Sequence, residues 1–232
     1  MISIQNTRFV LVGLGRCGSN LLKFALKQNS QIFMVGEYFN KHSYPESLDQ
    51  DGAARAQAFF STHDQGRTKA VGFKLFIHHG RKEGVKTVWK YLQEDKEIGI
   101  IHLSRRNIFK RLLSLEVANV RGQWLKDEHG ADDIFITHSA EWWQTKIEED
   151  EKKEQRLTKI FQGHSKLHIY YEYLVSDWGQ VTSGIQEFLG VKPVTIEKLI
   201  GKQEHMSPSE RCTNYKELQS FFQGGAYSWM FE

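Results

Sequence analysis

Short apolar runs, each bounded by turn residues, alternate along the chain with amphipathic segments. The runs are rich in β-branched and aromatic residues and too short for buried helices, which favours strands of a parallel sheet that is covered on both faces. These runs are Arg8–Val12, Gln31–Val35, Ala70–Phe76, Ile98–Leu103 and Leu167–Tyr171.

The segments between the runs carry apolar residues at helical spacing. They are Asn20–Gln28, Gly84–Glu94, Ile108–Asn119 and Val181–Leu189. Strands that alternate with helices predict right-handed βαβ units. The fold class expected is therefore α/β, with three layers (α/β/α) around a central, mostly parallel sheet.

Three stretches depart from this alternation. Phe39–Lys69 and Val120–Ile136 show the hydrophobic pattern of neither a strand nor a helix, so we expect both to be irregular. We expect the first to cover a sheet edge or a pocket. Ser139–Phe161 contains the run EEDEKKE, which is typical of a solvated helix face.

The composition narrows the class of protein. The length of 232 residues suits a single domain over residues 1–232, and 25% charged with 40% hydrophobic residues is ordinary for a soluble globular protein. The net charge of +3 is too small to coat a nucleic acid, although it allows one local anion site. No apolar stretch is long enough to span a membrane, and the N-terminal run is expected to be a strand rather than a signal peptide.

The two cysteines, Cys17 and Cys212, cannot build a disulfide framework, although one disulfide between them stays open. A reducing, cytoplasmic location is the expectation. The ten histidines and two cysteines show no metal-ligand spacing, so no metal is expected.

A glycine-rich turn follows the first run. Gly13, Gly15 and Gly18 stand between the predicted strand and a predicted helix. Turn amides and a helix N-terminus that converge on one spot are suited to an anion. The three glycines also fit G-x-G-x-x-G, and Glu37 follows Gly18 by 19 residues, where a ribose-binding acid would stand. An NAD(P)-binding Rossmann oxidoreductase is therefore the alternative interpretation.

Other residues of the turn favour a different ligand. Ser19 and Asn20 replace the Lys and Ser/Thr that a Walker loop requires, so ATP hydrolysis is not expected. Arg16 places a cation where a dinucleotide turn needs a small residue. A guanidinium pairs well with a terminal phosphate or sulfate group, and Ser19 and Asn20 add side-chain donors.

A second basic motif follows the fourth run. Arg105, Arg106, Lys110 and Arg111 crowd a predicted helix start, where the helix dipole disfavours cations, so an anionic partner is expected. Ser114 follows Arg106 by eight residues, a little over two helical turns. A guanidinium at a strand end and a hydroxyl on the next helix can bind one phosphate together.

These motifs resemble those of sulfotransferases that use 3′-phosphoadenosine 5′-phosphosulfate. Gly15–Leu22 is similar to the 5′-phosphosulfate loop, and Arg106-Asn107 with Ser114 is similar to the 3′-phosphate motif. The resemblance covers roughly residues 8–218, with the motifs in the family's order. Further similar segments are Tyr171–Leu174, Phe188–Gly190, Asn214–Leu218, Gly36–Phe39 and Gly72–Lys74. The last two are similar to the bacterial trehalose 2-sulfotransferase and nodulation sulfotransferase branch.

The resemblance implies a P-loop-like sulfotransferase fold and a metal-free sulfuryl transfer. The co-substrate would be 3′-phosphoadenosine 5′-phosphosulfate, and the acceptor a hydroxyl of a carbohydrate or another small molecule. It assigns the donor-binding residues as Gly15, Arg16, Cys17, Gly18, Ser19 and Asn20 for the phosphosulfate, Arg106 and Ser114 for the 3′-phosphate, and Tyr171 for the adenine. Arg16 would stabilise the sulfuryl oxygens, and Lys74 would contact the leaving oxygen.

The chain departs from the family at several positions. Cys17 and Asn20 replace commoner Ser/Thr residues, and Phe76 occupies the position of the catalytic His of animal cytosolic members. We expect Glu37 to be the general base, with a pKa raised by a partly desolvated pocket. His78 and His79 are the alternative bases.

The sequence says less about which residues bind the acceptor. The aromatic residues of the central region either stack on a sugar or pack between helices. They are Trp124, His138, Trp142 and Trp143. Acceptor specificity is expected to come from Phe39–Lys69 and Val120–Phe161. The resemblance also allows a homodimer through Ser139–Phe161.

Overall fold

The computed structural model describes residues 7–40, 44, 51–63, 68–79, 85–122, 134–198 and 206–232. All five predicted strands are present. They are β1 (Thr7–Gly13), β2 (Ile32–Glu37), β3 (Ala70–Phe76), β4 (Gly99–Ser104) and β5 (Lys166–Tyr170). They form one parallel sheet in the order β2-β3-β1-β4-β5.

Helices follow every described strand. They are α1 (Ser19–Leu26), α2 (Gly52–Thr62), α3 (Thr87–Glu94), α4 (Ile108–Arg121), α5 (Ala140–Ile160), α6 (Tyr171–Ser176), α7 (Trp178–Phe188), α8 (Pro208–Arg211) and α9 (Tyr215–Phe222), with a 3₁₀ helix at Ser228–Phe231. The predicted helical segments correspond to α1, α3, α4 and α7.

The chain divides into two compact units. The first comprises Met1–Ser104 and Glu154–Leu199, and the second comprises Arg105–Lys153 and Ile200–Glu232. The first contains the whole sheet. The expectation of a single domain stays a prediction.

The sheet of the first unit is covered on both faces, because alternate residues of each strand point to opposite sides. On β1, Val10 and Val12 belong to one apolar cluster with residues of α2 and α3. Phe9 and Leu11 belong to a second cluster with residues of α1 and α7. This arrangement confirms the predicted three-layer α/β/α fold.

The sequence interpretation did not predict helices α2, α6, α8 and α9, and α2 contradicts a stated expectation. The stretch Phe39–Lys69 was expected to be irregular, but α2 lies within it. The side chain of Asp51 caps this helix by accepting a hydrogen bond from the Ala54 N–H at 2.9 Å. Phe59 and Phe60 are buried in the core of the sheet. The alternation of alanines with polar residues hid this apolar stripe.

The second unit is helical and has its own apolar core, which includes Phe109, Trp143 and Phe231. The run EEDEKKE of α5 is not the fully solvated face that was expected. Asp150 is buried and pairs with Arg111 and Lys153. The expectation was wrong here because a partner charge on α4 compensates the buried carboxylate.

Candidate functional site

The glycine-rich turn lies at the carboxyl end of β1, the middle strand of the sheet. Gly13 at that end pairs with Phe76 of β3 and Leu103 of β4. Helix α1 begins at Ser19, and its N-cap, Gly18, makes no side-chain capping hydrogen bond. The first amides of α1 are therefore not capped by a side chain at this position, which is the arrangement that suits an anion.

Gly18 holds a conformation that only glycine adopts easily in this setting. Its φ is 91°, and a Cβ added there would lie 2.4 Å from Cδ2 of Tyr171. The ring of Tyr171, the first residue of α6, therefore packs directly on the turn. The structure brings Tyr171 to the loop as expected for a donor-binding residue, while its contact with an adenine stays a prediction.

Arg16 is strained. Its φ is 68°, and no other non-glycine residue among those described has a positive φ. This left-handed conformation costs a non-glycine residue on the order of 1 kcal/mol, and such strain concentrates at functional sites. A Cβ added at neighbouring Gly15 would meet nothing within 4 Å, so the turn is open on that side.

Lys74 connects the turn to the second strand. Its side chain is buried, and Nζ donates hydrogen bonds to Oδ1 of Asn20 at 2.7 Å and to Oγ of Ser19 at 3.4 Å. Nζ also lies 3.6 Å from Oε1 of Glu37. Burial lowers the pKa of Lys74, and the attraction of Glu37 only partly offsets this.

Glu37 faces Lys74 because β2 contains a register shift. Met34 pairs with Gly72, whereas Glu37 pairs with Lys74, so three steps along β2 match two along β3. The extra residue of such a bulge re-aims the side chains that follow it. Glu37 therefore shares a face of the sheet with Lys74.

The environment of Glu37 corrects one sequence expectation. Burial alone would raise its pKa, but the close contact with His79, the charge of Lys74 and a hydrogen bond from Asn40 outweigh it and lower the pKa to about 2. The expected raised pKa was wrong because desolvation was weighed without these partners. Glu37 is thus ionised at neutral pH.

The two histidines after β3 differ in their contacts. His79 is buried, and its Nδ1 accepts a hydrogen bond from the Phe76 N–H at 3.2 Å, while its Nε2 lies 3.3 Å from Oε2 of Glu37. His78 has its ring centre 4.4 Å from that of His79. Both ring nitrogens of His79 therefore have neighbours, which disfavours it as a base for a substrate.

Two further residues close to Glu37 were missed by the sequence interpretation. Asn40 donates a hydrogen bond from Nδ2 to Oε2 of Glu37 at 2.7 Å. Lys23 interacts electrostatically with Glu37, and burial lowers its pKa. Lys23 follows Asn20 by three residues on α1. This spacing places both side chains on one face of the helix and could have identified Lys23 from the sequence.

The second basic motif lies in the helical unit. Arg106 is exposed and precedes Asn107, whose Oδ1 caps α4 by accepting a hydrogen bond from the Lys110 N–H at 2.8 Å. Ser114 is partly buried on α4. The predicted order of strand, basic pair and helix is confirmed, and joint binding of a 3′-phosphate by Arg106 and Ser114 stays a prediction.

The aromatic candidates separate into core and surface residues. Trp143 is fully buried in the second unit, as expected of helix packing. His138 and Trp142 are partly exposed and stack with ring centres 3.8 Å apart. Trp124 lies outside the described residues.

Both cysteine thiols, Cys17 and Cys212, are free and buried. Within the described ranges, no helix has the length and apolar character that crossing a membrane requires.

No protein-family model and no curated protein sequence matches this chain. Solved structures of sulfotransferases do. The crystal structure of a sulfotransferase from Alicyclobacillus acidocaldarius is similar with a TM-score of 0.55 and 19% identity, over 94% of this chain and 91% of that one. The sulfotransferase domain from the curacin biosynthetic pathway is similar with a TM-score of 0.53 and 13% identity, over 92% of this chain and 87% of that one. At these identities the likeness establishes architecture, and the chain has the fold of these sulfotransferases, as its sequence predicted.

Proposed function

We propose that this protein transfers a sulfuryl group from 3′-phosphoadenosine 5′-phosphosulfate to a hydroxyl of a carbohydrate or another small molecule. The observation that carries the proposal is the turn after β1. A strained arginine and helix amides without a side-chain cap occur together at the carboxyl end of the middle strand. That edge is where ligands bind in parallel α/β sheets.

The strand order disfavours the dinucleotide alternative. In that fold β2 lies next to β1, so an acid at the end of β2 reaches the ribose of a nucleotide on the glycine turn. Here β3 lies between them. Glu37 faces Lys74 of β3 instead.

The proposed reaction is an in-line displacement at sulfur. The acceptor oxygen forms a bond to sulfur, the bond from sulfur to the 5′-phosphate oxygen breaks, and adenosine 3′,5′-bisphosphate leaves. Arg16 and the turn amides stabilise charge on the sulfuryl oxygens, and Lys74 stabilises the leaving oxygen. Cys17, Gly18, Ser19 and Asn20 complete the loop around the phosphosulfate.

Glu37 receives the proton of the acceptor hydroxyl. A carboxylate with so low a pKa is a weak base, but the hydroxyl becomes acidic as its oxygen bonds to sulfur, so the proton moves late. A bound donor also offers Lys74 a second anionic partner. Weaker attraction from Lys74 raises the pKa of Glu37 toward its ordinary value.

The remaining assignments follow the resemblance of the sequence. Arg106 and Ser114 bind the 3′-phosphate of the donor, and Tyr171 contacts its adenine. The similarity to the bacterial trehalose 2-sulfotransferase and nodulation sulfotransferase branch favours a carbohydrate acceptor. A homodimer through Ser139–Phe161 belongs to the same proposal.

Two measurements test this proposal. Adenosine 3′,5′-bisphosphate should raise the melting temperature, because it binds the folded chain, whereas NAD(H) should not. Sulfur-labelled donor should then label at least one member of a panel of sugars, alcohols and phenols. Stabilisation by NAD(H) alone would replace the proposal with the oxidoreductase alternative. Binding of the bisphosphate without transfer to any acceptor would indicate a nucleotide-binding protein that is not an enzyme.

A further inference from the structure

The two carboxylate oxygens of Glu37 have different surroundings. Oε2 accepts a hydrogen bond from Asn40 at 2.7 Å and lies 3.3 Å from Nε2 of His79. Oε1 has the ammonium group of Lys74 at 3.6 Å, beyond hydrogen-bond distance. The side chain of Glu37 is 26% exposed, so a further donor can reach it. Among the described residues, Oε2 accepts a hydrogen bond from Asn40 and Oε1 accepts none, so Oε1 is the oxygen more open to a further donor.

The ring of His79 is fixed in one tautomer. Nδ1 accepts a hydrogen bond from the Phe76 N–H, so in the neutral ring the proton resides on Nε2. Nε2 lies 3.3 Å from Oε2 of Glu37, close enough for electrostatic attraction but without the alignment of a hydrogen bond. The side chain of His79 is only 3% exposed, which keeps the ring in this orientation and away from solvent.

We infer that His79 is a positioning residue that holds Glu37 by Oε2, so that Oε1 receives the proton of the acceptor hydroxyl. This inference rests on the proposed sulfuryl transfer. The proton moves from the acceptor oxygen to Oε1, while the proton on Nε2 of His79 stays in place. His79 acts through Glu37 and does not contact the reacting atoms.

Charged and titratable groups from several elements surround this carboxylate. Lys74 approaches from β3, His79 from the segment after β3, and Lys23 from α1. Asn40 adds a neutral donor. Each favours the ionised form of Glu37, so loss of His79 raises the pKa of Glu37 and loosens its orientation.

A titration of Glu37 tests the contact without an acceptor. The ¹³C signal of its side-chain carboxyl group is followed against pH in the wild type, His79→Ala and His79→Gln. We expect His79→Ala to titrate at higher pH than the wild type, and His79→Gln, which keeps an N–H donor, to lie closer to the wild type. His164→Ala, which removes a histidine that contacts the Leu92 carbonyl, is the matched control. Equal titrations of the wild type and His79→Ala would overturn the inference.

Kinetics then separate positioning from mere structural support. With labelled donor and the acceptor panel, or water as the acceptor, His79→Ala should lower kcat by about 10-fold or more, with an unchanged KM for the donor. His79→Gln should restore part of the rate. In a Glu37→Gln background, His79→Ala should cause no further loss of kcat, because each substitution disables the same pair of residues, His79 and Glu37. An equal loss in both backgrounds would overturn the inference.

The failure of the proposed function gives a different result. If the wild type transfers no sulfuryl group to the panel or to water and does not bind the bisphosphate, the proposed function is overturned, and the catalytic role of His79 is overturned with it. The carboxyl titration would still decide whether His79 controls Glu37. If transfer occurs and only the double-mutant cycle fails, the inference alone is overturned.

Discussion

The ring of Tyr171 lies on Gly18 so closely that the turn after β1 has no room for a side chain at this position. This contact joins the turn to the first residue of α6, which follows the edge strand β5. The turn and α6 are distant in sequence but packed together. The turn is therefore held in part by tertiary packing against α6.

Gly18→Ala should destabilise the protein by at least about 2 kcal/mol, because it combines a left-handed φ with a clash against Tyr171. Chemical unfolding and thermal melting measure this change. Gly179→Ala is the matched control. A Cβ at Gly179, in α7, would meet nothing within 4 Å, so alanine should be neutral or stabilise by up to about 1 kcal/mol. A Gly18→Ala protein as stable as the wild type would contradict the packing described here.

Arg16→Gly separates the strain of the turn from its charge. Glycine adopts a φ of 68° without penalty, so the free energy of unfolding should change by less than about 1 kcal/mol. The affinity for adenosine 3′,5′-bisphosphate should fall by about 10- to 100-fold, because a charged hydrogen-bond donor is lost. Calorimetric titration measures the affinity. Undiminished affinity would remove Arg16 from the binding site.

The low pKa of Glu37 should appear in the pH dependence of stability. A folded-state pKa of about 2, below the ordinary 4.5, gives stability that is fully present above about pH 4.5 and lost as the pH falls toward 2. Glu37→Gln should therefore lose less stability than the wild type between pH 6 and pH 3. Urea unfolding at both values measures the difference. Glu97→Gln, at an exposed position of the same unit, is the control. Parallel losses in the wild type and Glu37→Gln would contradict the assignment.

The ion pair between Arg111 and Asp150 should be costly to break on one side only. Asp150→Leu should destabilise the protein by about 3–5 kcal/mol, because it leaves a buried guanidinium without this carboxylate. Arg111→Met combined with Asp150→Leu should recover much of that loss. Unfolding free energies of the single and double variants form the cycle. Additive losses would show that the pair acts as two independent residues.

The sequence predicted the sheet well because parallel strands that are covered on both faces are continuously apolar. Each strand prediction agrees with the structure to within two residues, as at β3 (Ala70–Phe76). Helix α2 was missed because only a few of its residues, such as Phe59 and Phe60, carry its apolar stripe. A stripe this thin is visible only once the sheet that it covers is known.

The candidate site was predicted in part. The glycine turn and its cation are local patterns, and the structure places them as expected at a strand end. The sign of the pKa shift of Glu37 was not predictable, because it depends largely on His79 and Lys74, which lie far from Glu37 in sequence. The burial of Asp150 likewise depends on a partner from another helix.

The register shift in β2 makes the orientation of Glu37 a matter of parity. Glu37 follows Met34 by three residues along β2, whereas their partners, Lys74 and Gly72, are two residues apart on β3. If β2 lost the bulge but kept all of its residues, Glu37 would match Leu75 and its carboxylate would turn to the opposite face of the sheet, whereas deleting Gly36 would restore a regular strand with the acid still opposite Lys74. In any alignment of related chains, the placement of a gap in this strand therefore decides which acidic residue corresponds to Glu37. A shared acid at that column means little unless the bulge is shared as well.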